Sequence, residues 1–416
     1  MRYPQSKIIS TFLALMIAVL IAEIVSMAWA HLEGIDKGVV RSERHLYDPY
    51  RGHRLNPDYR HRSDTGGIRI HSSDGFRENK PIAKSKSDNT YRIIMMGGSA
   101  LYGIGSSRPY PFRPSLMNNE TIDAYLEDLL NHELKISGSN RRVEIVNAGV
   151  TAYQTFQHLV YLNESLYQYE PDLVLFLDGH NDYYISRLNV NPWMDYVYSS
   201  IGLAESFNNR YPIFTMYTAI RPLSQFSYSM TLLQKGVQRL WERYEALPTD
   251  RLSSSDSTMT AAFDSQYERV AHHSFLRAYA QIKALGDYYG FKMVFFLQPE
   301  IIFESPSLLS SPDVEIRRLT ELLRNQANPN TIATMHRIRP MLPRLFKDHG
   351  FNEFYDIGQI GSPEHRGTQL YLDYCHLTPT GSKVVAGHIF AAIRRMVIDD
   401  IEHYPNGRNY GGDRSS

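Results

Sequence analysis

Five short runs of consecutive apolar residues, separated by segments of helical period, constrain this chain more than any other feature. They are Arg92 to Met96, Val143 to Val146, Asp172 to Leu177, Lys292 to Leu297 and a last one around Glu353 to Ile357. Runs this short, apolar on both faces, suit strands covered from two sides, as in a parallel sheet between helix layers. Ile122, Tyr125, Leu126, Leu129 and Leu130 recur along one face of a helix. Gln154 to Tyr169 reads as a second helix, stopped by Pro171. Phe275, Tyr279, Ile282 and Leu285 mark a third, closed near Gly290. The last helix takes Thr378 as N-cap and Pro379 at its first position, with Val384, Val385, Ile389, Ile393 and Val397 on its apolar face. Strand–helix alternation of this kind predicts an α/β fold with a parallel sheet and helices on both faces.

Around this pattern the chain divides into residues 1–30, an extension over 31–90, the main domain over 91–400 and a tail over 401–416. The extension shows no strong period and reads as loop-rich; residues 185–270 interrupt the main domain as an aromatic-rich helical insertion; the tail reads as disordered. At 43% hydrophobic and 21% charged, the 416 residues carry enough apolar side chain for a sizeable core, which excludes disorder over most of the length. The 44 basic residues balance 44 acidic ones, against the basic excess of an electrostatic nucleic-acid binder. One stretch is basic: Arg41, Arg44, Arg51, Arg54, Arg60 and Arg62, interleaved with Tyr50 and Tyr59. No nucleic-acid motif accompanies it, so it reads as a solvated surface segment. The single cysteine, Cys375, excludes an internal disulfide framework and any multi-cysteine metal site. No cysteine near the amino terminus offers a lipoprotein site.

The first thirty residues carry Arg2 and Lys7, then an apolar run from Ile8 to Ala30 interrupted by Glu23. A cleaved leader would use Ala28-Trp29-Ala30, whereas a signal anchor would use the whole run, with Glu23 reaching toward the interface. The anchor is favoured, because a tryptophan suits an interfacial position and is awkward beside a cleavage site. Either way the preceding positive charges send the rest of the chain across the membrane, to a membrane-anchored extracytoplasmic position or a secreted one. Amino-terminal sequencing separates the two: a mature chain beginning at His31 excludes the anchor.

In open α/β sheets, sites lie beyond the carboxyl ends of the strands. Four clusters stand there or before the last helix: Gly97-Gly98-Ser99, Asn147-Ala148-Gly149, Gly179-His180-Asn181-Asp182 and Asp373-Tyr374-Cys375-His376. They contain the parts of a serine hydrolase. Ser99 would be a hydroxyl nucleophile, His376 its base, and Asp373 the carboxylate that orients the imidazole. The Ser99 N–H, the Gly149 N–H and the Asn181 amide would form a three-donor oxyanion hole. Each piece alone has a structural reading; their order at successive strand ends gives them weight.

This set resembles the SGNH (GDSL) hydrolase family over roughly Tyr91 to Val397, in its exported or membrane-anchored bacterial form. By that resemblance Ser99 belongs to the first family block, Gly149 to the second, Asn181 to the third, and Asp373 with His376 to the fifth. Asp74-Gly75-Phe76-Arg77 is similar to the amino-terminal extension of such members. The resemblance implies a flavodoxin-like three-layer α/β/α sandwich of about five parallel strands and an esterase. Gly98 stands where the family usually has aspartate. The segment Gly97-Gly98-Ser99-Ala100-Leu101 lacks the Gly-x-Ser-x-Gly elbow of the α/β hydrolases.

The expected activity is therefore hydrolysis of ester-linked acyl groups, O-acetyl groups of envelope or extracellular polysaccharide among them. An O-acyltransferase would use the same triad. A non-catalytic polysaccharide-binding or assembly protein would instead use the insertion's Trp193, Tyr196, Tyr198, Tyr211, Tyr217 and Tyr228 as stacking surfaces. Neither His180 nor the pair His272-His273 has a partner at ligand spacing, so no metal and no cofactor are expected. Cys375 reads as a small packed side chain. The expected partners are an acyl ester or acylated carbohydrate and, through the first helix, a membrane.

Overall fold

The structure, a computed structural model, describes residues 5–32, 44–48, 50–63, 66–104, 116–182, 227–233, 236, 276–327, 336 and 339–403. The chain forms two compact units, Met1–Leu46 with Val197–Ser255, and Tyr47–Tyr196 with Asp256–Ser416.

In the first unit, helix α1 (Gln5–Leu32) includes Ser10–Leu32, with mean hydropathy 2.3, long and apolar enough to cross a membrane. Its apolar side chains are exposed around the helix, Phe12, Met16, Val19 and Ile24 among them. The Glu23 carboxylate accepts hydrogen bonds from Ser227 Oγ (2.7 Å), the Tyr228 N–H (2.5 Å) and the Ser229 N–H (3.2 Å), at the start of a helical stretch over residues 228–233. A carboxylate amid apolar side chains is costly unless donors surround it, and these supply them.

The second unit holds a five-stranded parallel sheet. Its strands are β5 (Thr90–Gly97), β6 (Arg142–Asn147), β7 (Leu173–Asp178), β8 (Lys292–Leu297) and β9 (Phe354–Asp356), in the order β6-β5-β7-β8-β9. This is the flavodoxin-like order, and it matches the α/β class read from the sequence. Every residue of β5 and β7 is buried, as their unbroken apolar runs require of central strands. Helix α2 (Ser99–Tyr102) is a single turn after β5. Helices α3 (Ile122–Ile136) and α8 (Pro379–His403) pack together, as do α4 (Thr155–Glu164) and α5 (Arg277–Tyr289). Right-handed crossovers put these two pairs on opposite faces of the sheet. Helices α6 (Ser311–Ala327) and α7 (Leu342–Asp348), not singled out in the sequence, lie between β8 and β9.

Three differences from the sequence reading have local causes. The expected helix from Gln154 to Tyr169 breaks at Ser165 (φ −146°) into α4 and a short 3₁₀ turn, Leu166–Tyr169. Pro171 disfavours a right-handed helical Glu170, which turns left-handed at φ 49°. The extension holds two two-stranded sheets, built from β1 (His45–Asp48) and β2 (Gly52–Leu55), and from β3 (Arg60–Ser63) and β4 (Gly66–Arg69). Strands of four residues are too short to show a period. Arg51, expected on a solvated surface, is buried between Asp48 (2.7 Å) and Glu164 (2.9 Å), over the ring of Tyr161. Most of the insertion, with its aromatic residues other than Tyr228, and the tail beyond His403 lie outside the described residues.

The Asp74-Gly75-Phe76-Arg77 segment meets the end of the edge strand β6, where the Arg77 N–H donates to Asn147 O (3.1 Å). The Arg77 side chain is fully buried and donates to Tyr102 O (2.9 Å), Leu116 O and Asn118 Oδ1, with its guanidinium over the Tyr102 ring. It thus braces the end of α2, the turn that carries Ser99. Replacing Arg77 with Met leaves the buried Tyr102 and Leu116 carbonyl oxygens and the half-buried Asn118 Oδ1 without this donor and should cost about 2–3 kcal/mol. Denaturant unfolding checks this as a lowered midpoint at unchanged slope.

Candidate active site

The site forms where β5, β7 and the loop before α8 meet at the carboxyl end of the sheet. Ser99 opens α2 directly after β5. A Cβ on Gly97 would lie 2.6 Å from Leu177 O, and one on Gly98 2.6 Å from Asn181 Nδ2. The turn therefore presses against β7 and against Asn181 as only glycines allow. Gly98 leaves the space that the Asn181 amide fills.

Asp373 and His376 sit in a loop that the carboxylate itself ties down. Asp373 Oδ1 accepts from the Cys375 N–H (3.1 Å) and the His376 N–H (3.0 Å), while Oδ2 meets His376 Nδ1 at 2.7 Å. Burial alone would raise the Asp373 carboxyl pKa. The His376 charge and these hydrogen bonds outweigh it and hold the carboxyl below its usual range. Thr378 Oγ1 accepts from the Gly381 N–H (3.0 Å) and caps α8, fixing the loop from its far side. His376 Nε2 lies 2.7 Å from Ser99 Oγ. Asp373, His376 and Ser99 are thus brought into one hydrogen-bonded chain.

Of the three expected oxyanion donors, two have hydrogens to offer. The Ser99 N–H, at the first position of its helix, has no intrahelical acceptor. Asn181 Nδ2 donates one hydrogen to Tyr153 O (2.8 Å) and has no second acceptor among the described residues. Gly149 differs from the expectation. Its N–H donates to Asn147 Oδ1 (2.9 Å), and the residue packs between Tyr102 N and the Leu101 side chain. Asn147 and Gly149, two residues apart, instead close a local side-chain turn. Asn147 is a fully buried hub, its Nδ2 donating to Leu101 O of α2 (3.1 Å) and to Asp123 Oδ1 (2.5 Å).

Around the site lie further buried groups, of which Asp178, His158, Glu300 and Arg339 were not singled out in the sequence. Asp178, ending β7, is buried with His158 Nε2 (2.9 Å) and accepts from Tyr279 OH (3.3 Å). Asp182 Oδ1 accepts from the Thr155 N–H (3.1 Å); burial first, and the Asp178 charge second, push the Asp182 carboxyl well up. A carboxylate directly at a strand end was the available signal for Asp178. His180 Nδ1 meets Glu300 Oε2 (3.1 Å), and its ring lies 5.0 Å from that of Tyr374. Arg339 lies 3.5 Å from Glu300 and pairs with Asp356 at 2.7 Å. The pair His272-His273 lies outside the described residues.

Donor atoms of Asp373, Cys375 and His376 lie within 4.8 Å of one another, the one such potential metal-ligand group among the described residues. Two of the three already belong to the Asp373–His376–Ser99 chain. A metal on His376 Nε2 would take the lone pair that faces the Ser99 hydroxyl.

No family model and no curated protein matches the chain. Solved structures that do match include an α/β hydrolase from the metagenome of Lake Arreo, at 14% identity over 73% of this chain and 94% of that one, with a TM-score of 0.31. A lipase/acylhydrolase from Enterococcus faecalis matches at 13% identity over 74% and 96%, TM-score 0.32. The Axe2 acetyl xylan esterase of Geobacillus stearothermophilus matches at 14% over 73% and 94%, TM-score 0.33. Likeness at this level carries no argument about the chain, whose reading rests on its own geometry.

Two outcomes follow. Replacing Gly98 with Asp forces Asn181 off Tyr153 O and, if the site turns over esters, should lower kcat on a short nitrophenyl ester about 10²-fold through loss of one donor. Asp182→Asn should raise the melting temperature at pH 7, with the gain vanishing near pH 4. The folded Asp182 pKa is raised, so above the unfolded value the folded state is penalised, and below it both states carry the proton.

Proposed function

We propose that the chain is a serine esterase of the SGNH type acting on ester-linked acyl groups. The observation that carries this reading is the pair of 2.7 Å contacts that join Asp373 Oδ2 to His376 Nδ1 and His376 Nε2 to Ser99 Oγ. A hydroxyl needs a base within hydrogen-bond reach, and the base needs an orienting group on its other nitrogen. His376 accepts the Ser99 proton as Oγ attacks the acyl carbon. The negative charge of Asp373 stabilises the imidazolium that forms. Charge developing on the carbonyl oxygen meets the Ser99 N–H and the second hydrogen of Asn181 Nδ2. His376 then returns the proton to the leaving alkoxide. Water, deprotonated by the same imidazole, releases the acyl group and frees Ser99.

The substrate class in this proposal is an acylated carbohydrate, O-acetyl esters of envelope or extracellular polysaccharide included. The unit bearing Ser99 would act outside the cytoplasm, with α1 as a signal anchor. The length and hydropathy of that helix, and Arg2 and Lys7 before its apolar run, support this placement. Alkaline carbonate extraction should leave the full chain with the membrane.

A serine-reactive fluorophosphonate tests the chemistry. Wild type should be labelled and Ser99→Ala not, while Asn181→Ala should keep the label and lose about 10²–10³ in kcat. An unlabelled wild type, or equal labelling of Ser99→Ala, removes Ser99 as nucleophile.

A further inference from the structure

Two backbone N–H groups on the loop after β6 have different fates. That of Gly149 is engaged by Asn147 Oδ1, while that of Ala152 has no acceptor among the described residues. Ala152 has φ 64°, one of three non-glycine residues with positive φ among those described. A left-handed alanine is disfavoured and persists only where its surroundings impose it. Ala152 is the third residue of a turn closed by the Tyr153 N–H on Val150 O (3.2 Å). A left-handed third residue makes this a type II turn, in which the peptide between residues 151 and 152 stands across the turn.

That peptide is held by a side chain from the extension. His53 Nε2 lies 2.9 Å from Thr151 O, which has no proton of its own, so the imidazole is the donor. A trans peptide is planar, with its C=O and N–H pointing in opposite directions, so fixing the Thr151 carbonyl fixes the Ala152 N–H. His53 is itself anchored. Tyr153 OH donates to His53 O (2.5 Å), the two rings meet edge to face at 5.0 Å, and Gln157 Nε2 donates to Arg51 O (2.7 Å). The same turn faces the site: Tyr153 O receives the Asn181 amide and would lie 3.7 Å from a Cβ on Gly98.

We propose that the oxyanion donor supplied by this loop is the Ala152 N–H, and that His53 is the positioning residue that aims it. The inference rests on the serine-esterase reading above. Without the His53 donor, the conformational preference of alanine favours the flipped peptide, and the Ala152 N–H turns to the opposite side. Burial lowers the proton affinity of His53, so the imidazole is neutral at neutral pH with its hydrogen on Nε2. The extension thereby becomes part of the catalytic apparatus.

The test compares the full-length wild type in detergent with Ser99→Ala, His53→Phe, His53→Gln and the double variant His53→Phe/Ala152→Gly, using 4-nitrophenyl acetate. His53→Phe keeps a ring against Tyr153 but removes the donor. Its kcat should fall about 10- to 10²-fold with KM within about twofold. His53→Gln restores an N–H near the position of Nε2 and should recover most of kcat. Ala152→Gly removes the preference for negative φ and should recover part of it in the His53→Phe background. If kcat of His53→Phe stays within about twofold of wild type while Ser99→Ala is inactive, the positioning role is overturned and the nucleophile reading stands. A loss that neither second change restores makes His53 structural and also overturns it. Wild type without hydrolysis or fluorophosphonate labelling overturns both readings.

Discussion

The 2.7 Å contact between Ser99 Oγ and His376 Nε2 joins residues 277 positions apart, and the local architecture on both sides of it serves that one distance. It requires that the turn after β5 and the loop before α8 open at the same end of one sheet. Parallel strands meet that requirement, because every crossover returns the chain to the same edge and every strand delivers its last residues to the same rim. The full burial of β5 and β7 fixes the height of that rim. The close fit of Gly97 against Leu177 O fixes the lateral position of Ser99. On the other side, the Asp373 carboxylate holds two backbone N–H groups and the imidazole at once.

The rim is braced by segments outside the strand–helix pattern. Arg77 holds the end of α2 through carbonyl oxygens, and Asn147 links α2 to the loop after β6. His53 holds the turn whose Tyr153 O accepts the Asn181 amide. These braces are polar and fully or partly buried, and each contacts main-chain atoms. That choice of partner suits a site whose precision depends on backbone direction, since a donor on a carbonyl constrains a whole peptide plane. The site also concentrates buried ionisable groups: Asp178 with His158, Asp182, and Glu300 with His180 and Arg339. Such groups are kept in place by hydrogen bonds, and their protonation is set by burial as much as by charge.

Much of the fold was legible along the chain. Unbroken apolar runs marked β5, β7 and β8, because a strand covered on both faces has no polar position to interrupt it. Thr378 and Pro379 marked the start of α8, since capping is a local matter. Ser99 and Asn181 were legible from their chemistry and their position after strands, and Asp373 with His376 from their spacing before α8. The role of Gly149 was misread for a physical reason. Whether a backbone N–H is free depends on where a neighbouring side chain folds, and Asn147 folds onto it. Arg51 was misread likewise, its burial depending on Glu164 and Tyr161 from another element.

By itself, the sequence determined which segments become strands and helices, where α8 begins, and which side chains could serve as nucleophile, base and orienting carboxylate. These follow from short-range periodicity, capping and chemical type, all of which are written in neighbouring residues. The tertiary structure alone decided which backbone donors face one another across loops, how Glu23 is satisfied, and that an extension without visible period supplies Arg77 and His53. Those outcomes depend on distances between residues far apart in the chain, and only the closed packing of the folded units sets such distances.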